Sequence, residues 1–215
     1  MRVIDLTYTI AEDMPVYPGT ERPILAQANT IEKDGFKETL LTMFSHTGTH
    51  MDAPAHLFPG KSTLDGMPIE QFVGKAFVID CAGLKEGERI TMEFINRDRA
   101  LADEAEFILF RLGWDKYWGT DLYFGDYPHI DDEVIEFLLE SDKKGVGLDV
   151  IGIDPIADEN LTIHKRLLAN KEIVVIENLR NLELCGKGLF TFFALPLKYL
   201  NSDGSPIRAI AILDE

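Results

Sequence analysis

The chain of 215 residues carries 37 acidic and 21 basic side chains, for a net charge of −16, and five histidines. A surface this negative repels phosphate backbones and anionic lipid and cannot supply the counterion release that nucleic-acid binding needs, so both are excluded as partners. An apolar fraction of 46% with 27% charged residues is that of a globular protein and sets aside disorder and fibrous repeats.

The opening stretch, MRVIDLTYTIAEDMP, lacks the apolar core of a signal peptide, and no later run approaches the roughly 18 uncharged apolar residues of a membrane span. Short apolar, β-branched runs predict strands over residues 3–10, 76–81, 107–112, 147–153, 173–176 and 207–213. Three helices are expected between them. Thr91 starts one over MEFINRDRALA; Asp131 and Asp132 start a second that runs through EVIEFLLESDKK to a left-handed cap at Gly145; Thr162 starts a third over IHKRLLANK. The apolar run GLFTFFALPLKYL at 188–200 suits the core better than a subunit interface. Cys81 and Cys185 lie far apart with no disulfide framework, which points to a reducing cytoplasm. No repeat or long linker divides the chain. One α/β domain over 1–215 is therefore expected, with a mixed sheet that includes antiparallel pairs.

Chemistry concentrates in Ser45-His46-Thr47-Gly48-Thr49-His50-Met51-Asp52-Ala53-Pro54-Ala55-His56, which holds three of the five histidines. His46, His50, Asp52 and His56 fall on even positions and share one face of an extended chain. A straight strand would still separate His46 from His50 by about 13 Å at ~3.3 Å per residue. Metal–nitrogen bonds are only about 2.0–2.1 Å long, so imidazoles sharing an ion must be drawn together by a bend. Gly48 can supply that bend, Pro54 stops the strand before His56, and the Thr-Gly-Thr between the histidines argues against a zincin-like helix. His46, His50 and Asp52 then form a three-ligand divalent site with open positions for water, suited to zinc, manganese or iron rather than calcium or magnesium. His56 is either a fourth ligand or a free acid–base group.

The stretch SHTGTHMDAPAHLFPG resembles the HxGTHxDxPxHF signature of the cyclase-like metal-dependent hydrolases, a family that includes bacterial kynurenine formamidase and isatin hydrolase. Leu57 displaces the motif phenylalanine by one position to Phe58. MPVYPG at 14–19, RLGWDKYWG at 111–119, IHKRLL at 163–168 and IENLRNL at 176–182 are similar to further family segments in the same order, so the resemblance covers nearly the whole chain. It implies a compact α/β fold of the swivelling β/β/α type, with a barrel-like mixed sheet and flanking helices, assembled as a homodimer or homotetramer. It implies that His46, His50 and Asp52 bind one metal ion, that Asp52, His164 and Glu177 bind a second, and that His56 donates and accepts the proton. Zinc, one or two ions, is the implied cofactor, with manganese the alternative.

The implied reaction is hydrolysis of a small amide, foremost conversion of N-formylkynurenine to kynurenine and formate. The ion acidifies its water toward a pKa of ~7 for the attack, and His56 shuttles the proton to the leaving amine. Hydrolysis of another cyclic or aryl amide, and a metal-binding protein without turnover, are the alternatives. Tyr17 stands where the formamidase branch carries a substrate-stacking tryptophan, while Leu112 in place of a threonine and the IDPIAD segment around Asp154 and Asp158 also depart from the pattern. His129 is expected at the surface or as a cap, Trp114 and Trp118 as packing anchors, and Asn160 as an acceptor motif without use.

Overall fold

Residues 1–213 are described by this computed structural model. Their strands are β1 (Arg2–Asp5), β2 (Ile24–Asn29), β3 (Glu38–Thr42), β4 (His50–Asp52), β5 (Val73–Asp80), β6 (Arg89–Ile90), β7 (Phe107–Arg111), β8 (His129–Ile130), β9 (Gly145–Leu148), β10 (Val174–Glu177), β11 (Phe190–Pro196) and β12 (Gly204–Leu213). The helices are α1 (Ile31–Asp34), α2 (Met92–Asn96), α3 (Arg99–Glu104), α4 (Asp132–Glu140) and α5 (Thr162–Asn170).

Seven strands pair in the order β12-β11-β5-β7-β9-β10-β4, and β4 returns to β12, so the sheet closes into a mixed barrel. β5, β7, β9 and β10 run parallel, and each parallel step needs a crossover: α2 and α3 serve the first, α4 the second and α5 the third. The helices therefore coat one flank of the barrel. The remaining joints are antiparallel, and β12 offers one edge first to β4 at residues 204–206 and then to β1 at 210–213. The architecture is the single α/β domain with a barrel-like mixed sheet that the sequence predicts.

Strand parity decides what faces where. Phe107 and Leu109 of β7, Val174 and Ile176 of β10 and Met51 of β4 fill the barrel interior, while Ile108, Phe110 and Val175 pack under the helices. Alternation then turns His50 and Asp52, on either side of Met51, toward the helical flank, and Glu177 with them. The interior is tight: a Cβ on Gly147 would lie 2.8 Å from both Leu109 Cδ2 and Leu179 Cδ1.

Several local expectations are corrected. The helix expected from Thr91 is two, because Asp98 leaves the helical path (φ −133°, ψ 43°) and its carbonyl starts α3 by accepting from Leu101 and Ala102; aspartate is a poor helix-interior residue. The helix from Asp131 ends at Glu140. Gly145 is no left-handed cap but the first residue of β9, where a Cβ would meet Phe107 and Val174 at 2.8–2.9 Å. The strand expected over 147–153 stops at Leu148, because Asp149 turns to accept the backbone N–H groups of Leu112 and Gly113 (2.8 and 2.7 Å). The first strand is likewise confined to Arg2–Asp5. Leu161, not Thr162, is the cap residue of α5. His129 is neither at the surface nor a cap: it is buried in β8, and the cap of α4 is the Asp131 carboxylate, which accepts from Val134 N at 2.9 Å. The β2–β3 hairpin was not legible, since apolar and polar side chains are exposed on both of its faces and leave no period-two signal. No helix among the described residues is long and apolar enough to cross a membrane.

Candidate metal centre

Four segments meet on the helical flank. β4 contributes His50 and Asp52, and β10 lies beside it with Glu177 directly opposite His50. His46 precedes β4 across a turn at Gly48 (φ 66°), the bend that the histidine spacing requires. Its ring lies over Gly204 of β12 so closely that a Cβ there would fall 2.7 Å from His46 Nε2. His164 enters from the first turn of α5.

Asp52 stands at the centre, with both oxygens engaged. Its Oδ1 is 2.6 Å from His46 Nδ1 and 3.4 Å from His50 Nε2, and its Oδ2 is 3.1 Å from His164 Nε2. Glu177 closes the far side, 3.4 Å from His50 Nε2 and 3.2 Å from His164 Nε2, and its Oε1 accepts from Ile153 N at 2.8 Å. His50, Asp52, His164 and Glu177 are buried, and His46 is partly so. The structure thus draws together the two overlapping sets His46, His50, Asp52 and Asp52, His164, Glu177, with donor atoms in each within 4.8 Å of one another.

The outer nitrogens show what the inner ones are for. His50 Nδ1 donates to the Gly48 carbonyl at 2.8 Å, His164 Nδ1 faces Asp154 Oδ2 at 2.6 Å, and His46 Nε2 faces Asp203 Oδ2 at 3.0 Å. With those N–H groups satisfied, a neutral imidazole turns a lone pair toward carboxylate oxygens, which also only accept. Acceptors converging on acceptors among buried side chains call for a cation, and the donor set, imidazole with carboxylate, fits a zinc- or manganese-type ion. In the metal-free chain protons take that part. Burial opposes the charge on His46, yet Asp52 and Asp203 lift it to about 9; His164 is raised well above its ordinary value against burial by Asp154, Asp52 and Glu177. Burial likewise opposes the charge on Asp52, and His46 and His50 hold it well below the usual carboxylate range.

His56 lies on the short 3-10 turn 54–56 after Pro54, its ring 4.0 Å from that of His46 and its Nδ1 3.9 Å from Asp203 Oδ2. Burial pushes its pKa down, only partly offset by Asp52. It thus lies at the cleft wall outside the two sets that share Asp52, and it forms a third group with His46 and Asp203 whose donor atoms also lie within 4.8 Å of one another. Tyr17 also lines this cleft of about 560 Å³, with Val16, Phe44, Ile151 and Leu161 forming apolar walls.

Three residues that sequence reasoning missed hold this arrangement. Asp154 accepts from the backbone N–H groups of Ile163 and His164 while engaging the His164 ring, so one carboxylate caps α5 and aims its histidine. Asp203 engages His46 and accepts from the Ser45 hydroxyl at 3.3 Å. Asn178, in left-handed conformation (φ 56°), donates from Nδ2 to the Gly48 carbonyl that also receives His50. Only Asp154 left a trace in the sequence, in the IDPIAD segment just before α5.

Residues 4–155 match the Cyclase family model, and the chain belongs to that family. Over nearly its whole length it is similar to two curated proteins: 36% identity to an uncharacterised protein of Methanocaldococcus jannaschii (99% of this chain, 100% of that one) and 31% to a kynurenine formamidase of Bacillus thuringiensis (96% and 95%). Among solved structures, isatin hydrolase A from Labrenzia aggregata bound to benzyl benzoate superposes with a TM-score of 0.89 at 28% identity, covering 100% of this chain and 94% of that one. A further structure at 28% identity and a TM-score of 0.75 is described as a potential metal-dependent hydrolase with cyclase activity, and the match covers 98% of this chain and 96% of that one. The fold, the donor set and these relatives make the chain a metal-dependent amide hydrolase.

Proposed function

We propose that the chain hydrolyses an aryl formamide, foremost N-formylkynurenine to kynurenine and formate, with zinc, one or two ions, held by His46, His50 and Asp52 and by Asp52, His164 and Glu177. The observation that carries this reading is the convergence of His50 and His164 Nε2 on the shared Asp52 and Glu177 carboxylates at 3.1–3.4 Å, with the outer nitrogens of both rings already engaged. When bound, such an ion supplies an acidified water and polarises the substrate carbonyl. His56, on the cleft wall and outside the two sets that share Asp52, would take the proton of the attacking water and return it to the leaving aryl amine. Val16, Tyr17, Phe44, Ile151 and Leu161 give a flat aromatic amide an apolar seat, and Tyr17 stacks on its ring in place of tryptophan.

The test is steady-state hydrolysis of N-formylkynurenine against a panel of cyclic and aryl amides, with zinc and manganese measured on the same protein. A clear preference for the formamide is expected; no turnover of it, or equal rates across the panel, defeats the substrate assignment. His56→Ala should lower kcat by about 10²–10⁴-fold with metal content intact, and His50→Ala should strip the ion. Isatin hydrolase structures among the solved neighbours support a second reading, hydrolysis of a cyclic aryl amide, which the same panel separates.

Homodimer or homotetramer formation in a reducing cytoplasm belongs to the same proposal. The two free cysteines support the compartment, and the β2–β3 arm supports the assembly: Ile24, Ile31, Phe36, Leu40 and Leu41 are all exposed on it, and a two-stranded ribbon is marginal until something packs on it. Phe36→Asp with Leu40→Asp should yield a monomer by light scattering; an unchanged mass removes the arm from the interface.

A further inference from the structure

A second cavity, of about 800 Å³, opens where the segment after β1 meets the segments after β7 and β10. Its wall carries Tyr8, Arg111, Lys116, Trp118 and Arg180, and none of these belongs to the metal centre. In a chain of net charge −16 this concentration of cations is notable for its lack of partners. Arg111 commits one nitrogen, Nη1, to Asp80 at 2.9 Å. Among the described residues Arg180 and Lys116 have no carboxylate within 4.0 Å, and Arg180 has no side-chain hydrogen bond at all.

Buried polar atoms nearly always find a partner. Three buried side-chain polar atoms among the described residues do not: His129 Nδ1, Arg111 Nε and Arg180 Nε. Two of the three thus sit on the guanidinium groups of this one cavity. Those groups are also held ready. The Arg180 guanidinium lies 4.8 Å over the Tyr8 ring, which is itself stacked on Trp118 at 3.7 Å and fixed by a hydrogen bond from its hydroxyl to the Asp115 carbonyl at 3.0 Å. Asp115 and Glu183 share the wall, so charge alone does not define the cavity. The Asp115 carboxylate, however, is turned to Asn181 N at 3.2 Å. What remains on this wall are the unpaired Arg180 guanidinium and the uncommitted donors of Arg111, the donor type that matches a carboxylate or phosphate.

We propose that this cavity is a second, non-catalytic binding site for a small oxyanion, gripped by Arg180 and Arg111 with Lys116 at its mouth. Its far wall reaches the metal centre, because Trp118 packs on Tyr123 with centroids 5.1 Å apart and the Tyr123 hydroxyl donates to Asn178 Oδ1 at 2.7 Å. Asn178 is the residue that holds the Gly48 carbonyl under His50.

The test uses the zinc-loaded protein at constant ionic strength, titrated separately with inorganic phosphate and with acetate. Calorimetry gives the stoichiometry, and tryptophan fluorescence, read in a Trp114→Phe background, reports on Trp118. Saturable binding of either anion at one site per chain is expected, weakened at least tenfold by Arg180→Met and retained in His50→Ala. Saturation by phosphate alone or by acetate alone identifies which class the cavity accepts. Lys116→Met, at an exposed position, provides a second route should Arg180→Met fail to fold, and a several-fold loss is expected from it. The proposal is overturned if neither anion saturates, if both cavity variants bind as the unmodified chain does, or if binding disappears with His50→Ala, which would assign it to the metal centre.

Discussion

Replacing Asp154 tests whether His164 is aimed by its neighbour or merely packed. The Asp154 carboxylate receives three N–H groups: Ile163 N at 2.6 Å on Oδ1, and both His164 N at 3.0 Å and His164 Nδ1 at 2.6 Å on Oδ2. An asparagine has one accepting oxygen, so whichever way its amide turns, an NH₂ group confronts a buried N–H. Leaving one such donor unsatisfied costs about 1–3 kcal/mol. If the amide nitrogen faces the ring, Nδ1 must become the acceptor and the proton moves to Nε2, where it blocks the approach to Asp52 and Glu177. Loss of an outer partner of this kind weakens metal binding by roughly 10- to 100-fold. Asp154→Asn should therefore lower the urea midpoint modestly and weaken zinc by that factor, read by competition with a chromophoric chelator. Asp154→Ala, which leaves all three donors bare, should be worse on both counts. Unchanged zinc affinity in Asp154→Asn, with unchanged stability, would refute the reasoning.

Two glycine substitutions should separate the barrel from the site. Gly147→Ala sets a methyl 2.8 Å from Leu109 and Leu179 in the interior and should cost about 1–3 kcal/mol of stability while sparing zinc. Gly204→Ala intrudes on the His46 ring and should lower zinc affinity with a smaller effect on the urea midpoint. Asp149 should leave a signature in acid stability. Burial raises its pKa to about 7, so between pH ~4 and ~7 the folded chain keeps a proton that the unfolded chain has released, and stability falls as pH rises through that window. The effect reaches at most about 4 kcal/mol. In Asp149→Asn, measured without metal, the difference from the unmodified chain should shrink or reverse across that window; a constant difference from pH 4.5 to 7.5 would contradict it.

The site was legible where its residues are close in sequence. His46, His50, Asp52 and His56 fall within eleven positions, and bond lengths alone demand a bend at Gly48, which the backbone supplies at φ 66°. His164 and Glu177 were reachable only through resemblance, since a histidine beside leucines and a carboxylate at a strand end have no spacing in common with the cluster. Asp203 was not legible at all. It reaches His46 because β12 pairs with β4 across more than 150 positions, and register of that kind is a property of the closed barrel. Gly145 failed for the opposite reason, because Lys-Lys-Gly after a helical stripe is a sound local stop signal, overruled by Phe107 on the neighbouring strand.

The alternation of His50, Met51 and Asp52 bears on how such a protein can change over time. Inserting or deleting one residue in β4 would turn both of these side chains into the barrel and Met51 out of it, so the length of that segment is frozen by its pairing on both edges. Tyr17 and Phe44 are under no such constraint, since they reach the cleft from segments outside the barrel. Lineages can therefore lengthen, shorten or exchange those segments and reshape the cleft while the histidine and carboxylate cluster passes down intact.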